Sequence, residues 1–181
     1  MKCSIPSCLS LLGIGLFTVG LMATPAQAQS KDDLIKNALS AAPETIAMHA
    51  TVVDHQGNVL REGSNGYVCL PDDPRPGNSP MCLDSGWLAW ADAWVNRKPV
   101  ALPDQISFAY MLEGDAPTSN TDPWATEATA DNEWLDDIGP HLMVLVPDLK
   151  LLENFPSDPE YGGPYVMWRG TDFAHLMIPV E

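Results

Sequence analysis

Two segments of the chain repeat apolar residues at helical spacing. Residues 31–42 place a stripe of Leu, Ile and Ala on one side, with Asp32 and Asp33 in the first turn, where carboxylates interact favourably with the helix dipole. Residues 86–96 follow a capping residue, Asp84 or Ser85, and end before Pro99. The pattern therefore predicts two helices.

The second predicted helix carries a row of tryptophans. Trp87, Trp90 and Trp94 stand at positions i, i+3 and i+7, so their indoles share one face. Such a row can stack on sugar rings or on an aromatic ligand. Helical spacing is more typical of a buried face, where each indole removes about 150 Å² or more from water. We therefore expect the row to belong to the core.

The other apolar runs are short, rich in Val, Ile and aromatic residues, and bounded by turn residues, which is typical of strands. They cover residues 46–53, 59–62, 67–70, 105–113, 141–146, 165–168 and 174–180. Short connections predict an antiparallel meander for the first three. The whole pattern indicates a single α+β domain over residues 29–181, with a mainly antiparallel sheet and two helices packed on one of its faces.

A His-Leu-Met sequence occurs twice in the predicted sheet. Side chains alternate across a strand, so His141 shares a side with Met143, and His175 shares a side with Met177. If the two strands are neighbours, these four side chains predict a site for a soft metal ion, with copper as the candidate, because thioethers favour Cu(I). Further candidate ligands are Met81, Met111 and Met167.

A structural interpretation of the same residues competes with the metal site. Methionine commonly fills irregular gaps in a core. A histidine in a strand often does no more than hydrogen-bond to the backbone or to a carboxylate. The sequence leaves both interpretations open, because it does not fix which strands are adjacent. His49 and His55 lie near a strand start and in a turn, and they carry no comparable pattern.

The first 28 residues have the form of a secretory signal peptide. Lys2 precedes an apolar segment at 9–21, and Ala26-Gln27-Ala28 matches the small-residue pattern of a cleavage site. We expect cleavage near Ala28 and a periplasmic or secreted mature protein. The apolar segment is shorter than the roughly 20 residues that a spanning helix requires, and no later run approaches that length. A membrane span in the mature form is not expected.

The net charge and the cysteines limit the functional class of the protein further. Without Lys2, 8 basic residues stand against 24 acidic ones, a net charge of −16. This balance argues against a nucleic-acid partner, which requires neutralisation of phosphates by Lys and Arg. Cys69 and Cys82 remain after removal of the signal peptide, and in an exported protein they predict a disulfide. Closing the loop between them contributes about 3 kcal/mol.

A long polar passage at 114–139 supplies the remaining candidates. Loops of this length inside a small domain are often functional, and Asn120, Asp122 and Trp124 are candidate ligand-binding residues there. A partner-binding module would use Trp124 and Trp134 as an exposed aromatic patch. A hydrolase-type enzyme would place a histidine beside residues 119–123, although the chain contains none of the common hydrolase, metalloprotease or nucleotide-binding motifs.

Three segments resemble an uncharacterised family of small exported bacterial proteins. They are Ser-Asn-Thr-Asp-Pro at 119–123, Gly-Pro-His-Leu-Met at 139–143, and residues 163–180. The resemblance implies one exported domain over most of the mature chain and carries no activity to transfer. The sequence thus predicts a small acidic exported protein that acts as a non-enzymatic binding or accessory domain, with a protein or a small molecule as partner.

Overall fold

The computed structural model describes residues 29–72 and 79–180. The predicted signal peptide and its cleavage position near Ala28 lie outside the described residues, as does part of the segment between the two cysteines. The described residues form three α-helices, two short 3-10 helices, an eight-stranded sheet and a separate two-stranded sheet. The α+β class with a mainly antiparallel sheet is confirmed.

The first helix, α1 (Lys31–Ser40), begins at a capping box. The Ser30 hydroxyl accepts a hydrogen bond from the Asp33 N–H, and the Asp33 carboxylate accepts one from the Ser30 N–H. A short second helix, α2 (Glu44–Ala47), follows Pro43. The strand predicted from residue 46 therefore starts later, because Pro43 is well suited to precede a helical turn.

The third helix, α3 (Ser85–Val95), is the tryptophan helix, and Asp84 fixes its position. The Asp84 carboxylate accepts hydrogen bonds from the N–H groups of Gly86 and Trp87 at 3.0 and 3.1 Å, and from the Phe108 N–H at 2.6 Å. A Cβ atom at Gly86 would overlap the Ser107 hydroxyl. Glycine here lets the start of α3 lie directly against the sheet.

The described residues contain ten strands, named here in chain order. They are β1 (Thr51–Val53), β2 (Val59–Arg61), β3 (Val68–Leu70), β4 (Met81–Leu83), β5 (Ser107–Met111), β6 (Thr118–Ser119), β7 (Trp134–Leu135), β8 (His141–Leu145), β9 (Tyr165–Met167) and β10 (His175–Pro179). The large sheet has the order β2-β1-β3-β4-β5-β8-β10-β9. Its neighbours are antiparallel except for β1 and β3, which are parallel.

The parallel pair corrects the predicted meander. The connection after β2 crosses the end of β1, where the Ser64 N–H donates to the His49 carbonyl at 2.7 Å. The Thr51 N–H then donates to the Tyr67 carbonyl at 2.9 Å, which brings β3 to the free side of β1. A short connection alone therefore did not determine strand direction.

The two main helices lie on opposite faces of the sheet, so the expectation of one shared face is wrong. α1 packs with Val52, Cys69 and Cys82, whereas α3 packs with Leu83 and Ala109. Cys82 and Leu83 are consecutive in β4, and consecutive residues of a strand point to opposite faces. We call these faces the α1 face and the α3 face.

The predicted disulfide between Cys69 and Cys82 is present. The two residues pair across β3 and β4, with their Cα atoms 4.0 Å apart. Both side chains are fully buried against α1. The disulfide therefore ties the α1 face together.

The long passage after β5 is more ordered than a simple loop. β6 and β7 pair within it, and Asp115 forms a bridge with Ile138. Two indoles of the main body hold it in place: Trp94 donates to the Pro123 carbonyl and Trp168 to the Ser119 carbonyl, both at 2.7 Å. Sequence patterns missed this because its anchors come from distant parts of the chain.

Among the described residues, no helix combines the length and the apolar character needed to cross a membrane.

Candidate functional site

The two His-Leu-Met strands, β8 and β10, are neighbours in the sheet. In their antiparallel register, Met143 lies opposite Met177. On the other side of β10, His175 lies opposite Met167 of β9. The pairing of β5 with β8 places Met111 opposite His141. Directly opposed residues share a face, so these His and Met side chains collect on the α3 face.

The antiparallel register also separates the two imidazoles along the strands. His141 pairs with Pro179, and Pro179 lies four residues beyond His175, which corresponds to about 13 Å along a strand. The expectation that adjacent strands would bring both rings to one ion is therefore wrong. A His-Leu-Met sequence read in opposite directions aligns the methionines and sends the histidines to opposite ends.

The tryptophan helix covers this face. Trp87 and Trp90 are buried and Trp94 is half-buried, which confirms the core interpretation of the row. Trp168 reaches the same place from the turn after β9 and stacks on Trp90, with the ring planes 4° apart and the centroids 5.7 Å apart. Trp168 adopts a positive φ of 54°, a strained conformation for a bulky residue that the surrounding contacts must hold.

His175 lies among these indoles. Its ring meets those of Trp87, Trp90 and Trp168 nearly at right angles, at centroid distances of 5.3, 5.4 and 5.1 Å. The imidazole is fully buried and presents its edges or face to apolar rings on several sides. The His175 ring therefore has few polar groups nearby with which it can hydrogen-bond.

The protonation of His175 follows from its single hydrogen bond. Nδ1 lies 3.0 Å from the Phe173 carbonyl oxygen, which can only accept, so Nδ1 carries the proton in the neutral ring. Nε2 then presents a bare lone pair, and it has no hydrogen-bond partner among the described residues. Burial lowers the pKa of His175 to about 4, and the charge of His141 adds a smaller lowering. The ring is neutral near pH 7.

A cavity of about 110 Å³ opens beside His175. Two features dominate its wall. The indoles are those of Trp87, Trp90, Trp94 and Trp168. The thioethers are those of Met81, Met111, Met143, Met167 and Met177. Six methionines follow residue 28, so five of the six line this one cavity, and Met48 alone lies elsewhere, exposed at the surface.

Asp115 supplies a carboxylate to the wall of the cavity. Gly114, with a φ of 82°, turns the chain so sharply that a Cβ atom there would lie 2.6 Å from the Ile138 carbonyl oxygen. The Asp115 N–H donates to that same oxygen at 2.8 Å. Burial raises the pKa of Asp115 to about 6. The sequence offered no sign of this residue beyond a turn-forming glycine before it.

His141 has the same local geometry as His175 but faces a different space. Its Nδ1 lies 2.8 Å from the Gly139 carbonyl oxygen, and its Nε2 is buried without a hydrogen-bond partner among the described residues. Burial lowers its pKa. It lines a neighbouring hollow together with Tyr165 and Glu160. Of the four predicted ligands, Met143, His175 and Met177 meet at the cavity and His141 does not.

In the candidate ligand loop, the side chains of Asn120 and Asp122 form hydrogen bonds within the protein. Asn120 is buried, and its amide donates to the Glu133 carboxylate and to the Ser157 carbonyl, both at 2.8 Å. Asp122 is exposed and accepts from the Trp124 N–H at 2.9 Å. The two Asn120 contacts tie the loop to the segments around Glu133 and Ser157. Neither His141 nor His175 hydrogen-bonds to a hydroxyl or a carboxylate in the described structure, and the hydrolase-type alternative stays a prediction.

The two tryptophans of the same passage are partly exposed. Trp124 has 39% of its surface accessible, packs edge-on against Phe173 at 5.4 Å, and lies under the Arg97 guanidinium at 5.2 Å. Trp134 is half-buried in β7. Both tryptophans line one surface hollow together with Trp94 and Arg97, so the partner-binding module stays a prediction.

The donor set at the cavity differs from that of zinc or calcium sites. In the described parts of the chain, no group of three or more His, Cys, Asp or Glu side chains converges. The groups that do converge are thioethers, with one imidazole and one carboxylate. Comparison of the chain with protein-family models, with curated proteins and with solved structures finds no match.

Proposed function

We propose that this protein is exported and binds a soft monovalent metal ion, Cu(I), in the methionine cavity on the α3 face. The observation that carries the proposal is the bare Nε2 lone pair of His175, which is buried in a cavity lined by five methionines and has no hydrogen-bond partner among residues 29–72 and 79–180. A buried polar atom left without a partner costs about 1–3 kcal/mol. A metal ion bound at Nε2 would satisfy it.

The tautomer of His175 supports this role. Metal-bound imidazoles commonly donate their other ring N–H to a backbone carbonyl, which fixes the ring and leaves the second nitrogen free for the metal. The Phe173 carbonyl accepts from Nδ1 in this way. Because the ring is neutral near pH 7, no proton has to leave before an ion binds.

The thioethers select the kind of ion. Thioether and imidazole ligands suit Cu(I), whereas carboxylate and carbonyl oxygens suit Mg²⁺ and Ca²⁺. Methionine side chains have three rotatable bonds, so Met143, Met167 and Met177 can close on an ion inside a cavity of about 110 Å³. Asp115 supplies one negative charge at the wall, which matches a single positive charge.

Export supports the use of thioethers in place of thiols. The Cys69–Cys82 disulfide is the form that cysteines take in an oxidising compartment. Methionine keeps a soft donor available where thiols are oxidised to disulfides. We propose cleavage near Ala28, and mass spectrometry of the protein isolated from the periplasm or the culture medium tests it by an N-terminus at Gln29.

Silver titration tests the metal site, since Ag(I) has the soft ligand preference of Cu(I) and does not change oxidation state in air. We expect the wild type to bind one equivalent, with quenching of fluorescence from the four indoles that line the cavity. Anaerobic competition with a chromophoric Cu(I) chelator then measures Cu(I) affinity. The double variant Met143→Leu/Met177→Leu keeps volume, and affinity should fall at least about tenfold.

Met48→Leu is the matched control, because Met48 is exposed and lies outside the cavity. It should bind like the wild type. Absence of stoichiometric Ag(I) uptake by the wild type would overturn the proposal and leave a structural methionine core. Equal affinity of the wild type and the folded double variant would overturn it too.

A further inference from the structure

The methionine cavity shares a wall with a hollow on the protein surface. The hollow has a volume of about 460 Å³ and lies between α3 and the turn after β1. Four residues line both spaces: Met81, Leu83, Ala91 and Trp94. The partition between solvent and cavity is therefore one side chain thick at this point.

Met81 differs from the other cavity methionines in its exposure. Met111, Met143, Met167 and Met177 are between 1% and 9% exposed. Met81 is only partly buried, and it is the thioether that faces both the hollow and the cavity. It stands at the first residue of β4, next to the disulfide-bonded Cys82. Its backbone is thus held in place while its side chain keeps rotational freedom.

We propose that Met81 is the exchange ligand of the metal site: an ion reaches the surface hollow, binds the Met81 thioether, and passes from it to the inner sulfurs and to His175. This inference rests on the proposed Cu(I) function and adds the route by which the ion enters and leaves. At each step one neutral donor replaces another on the ion, so the ion keeps its charge and oxidation state and no proton is transferred.

The electrostatics of the hollow favour a cation. The carboxylates of Asp54 and Asp92 lie on its lining, and the chain as a whole carries a net charge of −15. Negative potential at a cleft raises the local concentration of cations and their rate of association. Asp92 pairs with Lys98, which offsets its charge, whereas Asp54 accepts from the uncharged backbone N–H groups of Gln56 and Asn58. His55 also lines the hollow, with its Nε2 2.8 Å from the Pro71 carbonyl oxygen.

Stopped-flow fluorescence, with Ag(I) as the metal, measures the rates of association and release separately from the equilibrium affinity. In Met81→Leu, both association and release to an excess of free methionine should slow about tenfold or more, while the dissociation constant stays within about threefold of the wild type. Ala91→Leu narrows the same partition without touching a ligand, and it should slow both rates in the same way. Met48→Leu should match the wild type.

The matched buried variant is Met111→Leu. It should weaken the equilibrium affinity and leave the association rate near the wild-type value, the reverse of Met81→Leu. Wild-type rates in both Met81→Leu and Ala91→Leu would overturn the route. A large loss of affinity in Met81→Leu without slower association would make Met81 a resident ligand and also overturn it. Failure of the wild type to bind Ag(I) at all would instead remove the Cu(I) function.

Discussion

The two faces of strands β8, β9 and β10 are both largely buried and differ in composition. On the α1 face, the core consists of Val144, Val146, Leu152, Val166, Ala174 and Leu176. On the α3 face, the same strands present Leu145 together with His141, Met143, Tyr165, Met167, His175 and Met177. Burial alone therefore does not explain the methionines and histidines, since the neighbouring face is filled with branched aliphatic side chains.

The tryptophans explain part of the difference. Methionine sulfur makes favourable contacts with aromatic rings, and four indoles cover the α3 face. They do not explain His175, because a buried imidazole whose Nε2 has no partner among the described residues is less stable there than an apolar side chain of the same shape. The comparison indicates that the α1 face stabilises the fold by apolar packing. On the α3 face, the buried Nε2 atom of His175 lowers the stability that packing provides.

Substitutions at two consecutive residues of β10, Leu176 and Met177, give the largest expected difference between the α1 face and the α3 face. Leu176→Ala, on the α1 face, should lower the free energy of unfolding by about 2–5 kcal/mol and leave Ag(I) affinity unchanged. Met177→Leu, on the α3 face, should lower it by less than about 1.5 kcal/mol and weaken Ag(I) binding. Urea denaturation and Ag(I) titration of both variants measure the two effects. If Met177→Leu bound normally, the α3 face would be a packing face as well.

The disulfide gives the next largest effect. Replacing both cysteines, as in Cys69→Ala/Cys82→Ala, should lower the free energy of unfolding by about 3 kcal/mol, since the unfolded chain gains freedom. Both side chains lie on the α1 face with α1, so Ag(I) affinity of the folded variant should remain at the wild-type value. Urea denaturation followed by Ag(I) titration checks both statements, and weakened binding would show that the two faces are coupled.

The buried histidines of the α3 face make the stability of the metal-free protein depend on acid pH. His175 has a pKa of about 4 in the folded protein against an ordinary value of 6.5. Above pH 6.5 the ring is neutral in both states and contributes nothing. As the pH falls from 6.5 to 4, the unfolded chain takes up a proton that the folded protein does not, and stability falls by about 3 kcal/mol.

Two other groups on this face titrate in the same range. His141 has a lowered pKa and adds to the loss. Asp115 acts in the opposite direction: its pKa is raised to about 6 from 3.8, so its cost at neutral pH disappears as the pH falls towards 3.8. The indoles around His175 carry no charge. We therefore expect a shallow pH dependence in the wild type and a steeper loss of stability on acidification in Asp115→Asn.

The double variant Asp115→Asn/His175→Leu is the control for acid titration. The difference between the pH profiles of Asp115→Asn and the double variant isolates His175, because the exposed carboxylates are common to both. Urea denaturation at several pH values between 4 and 7 gives the profiles. Parallel profiles would show that His175 exchanges protons freely with solvent and is not enclosed.

Local sequence patterns predicted what depends on neighbouring residues. The helical stripe at 31–42, the tryptophan row and the paired cysteines all appear in the structure. The alternation within β8 and β10 correctly placed each histidine on the same side as its methionine. Such features follow from the helical and strand periods, which the order of residues along the chain determines.

The site depended on pairings that no local pattern determines. The antiparallel register of β8 and β10 joined Met143 to Met177 and moved His141 away from His175. Asp115 and Trp168 reach the cavity from separate turns, and no motif distinguishes either residue in the sequence. The parallel course of β1 and β3 was missed for the same reason, since it depends on contacts of the crossing segment with His49 and Thr51.

Methionine oxidation is the prediction with the smallest expected effect. It compares the exposure of the methionines on the α3 face with that of Met48. Sulfoxide formation follows accessibility, so dilute hydrogen peroxide should oxidise Met48 first, since it is 58% exposed. Met81 should follow, and the four buried cavity methionines should react last. Bound Ag(I) should slow oxidation of the inner thioethers Met143 and Met177 further and leave Met48 and Met81 near their metal-free rates, because the ion has passed from Met81 to the inner sulfurs. Peptide mass spectrometry measures each rate, and oxidation of Met143 or Met177 as fast as Met48 would mean that the α3 face is open to solvent.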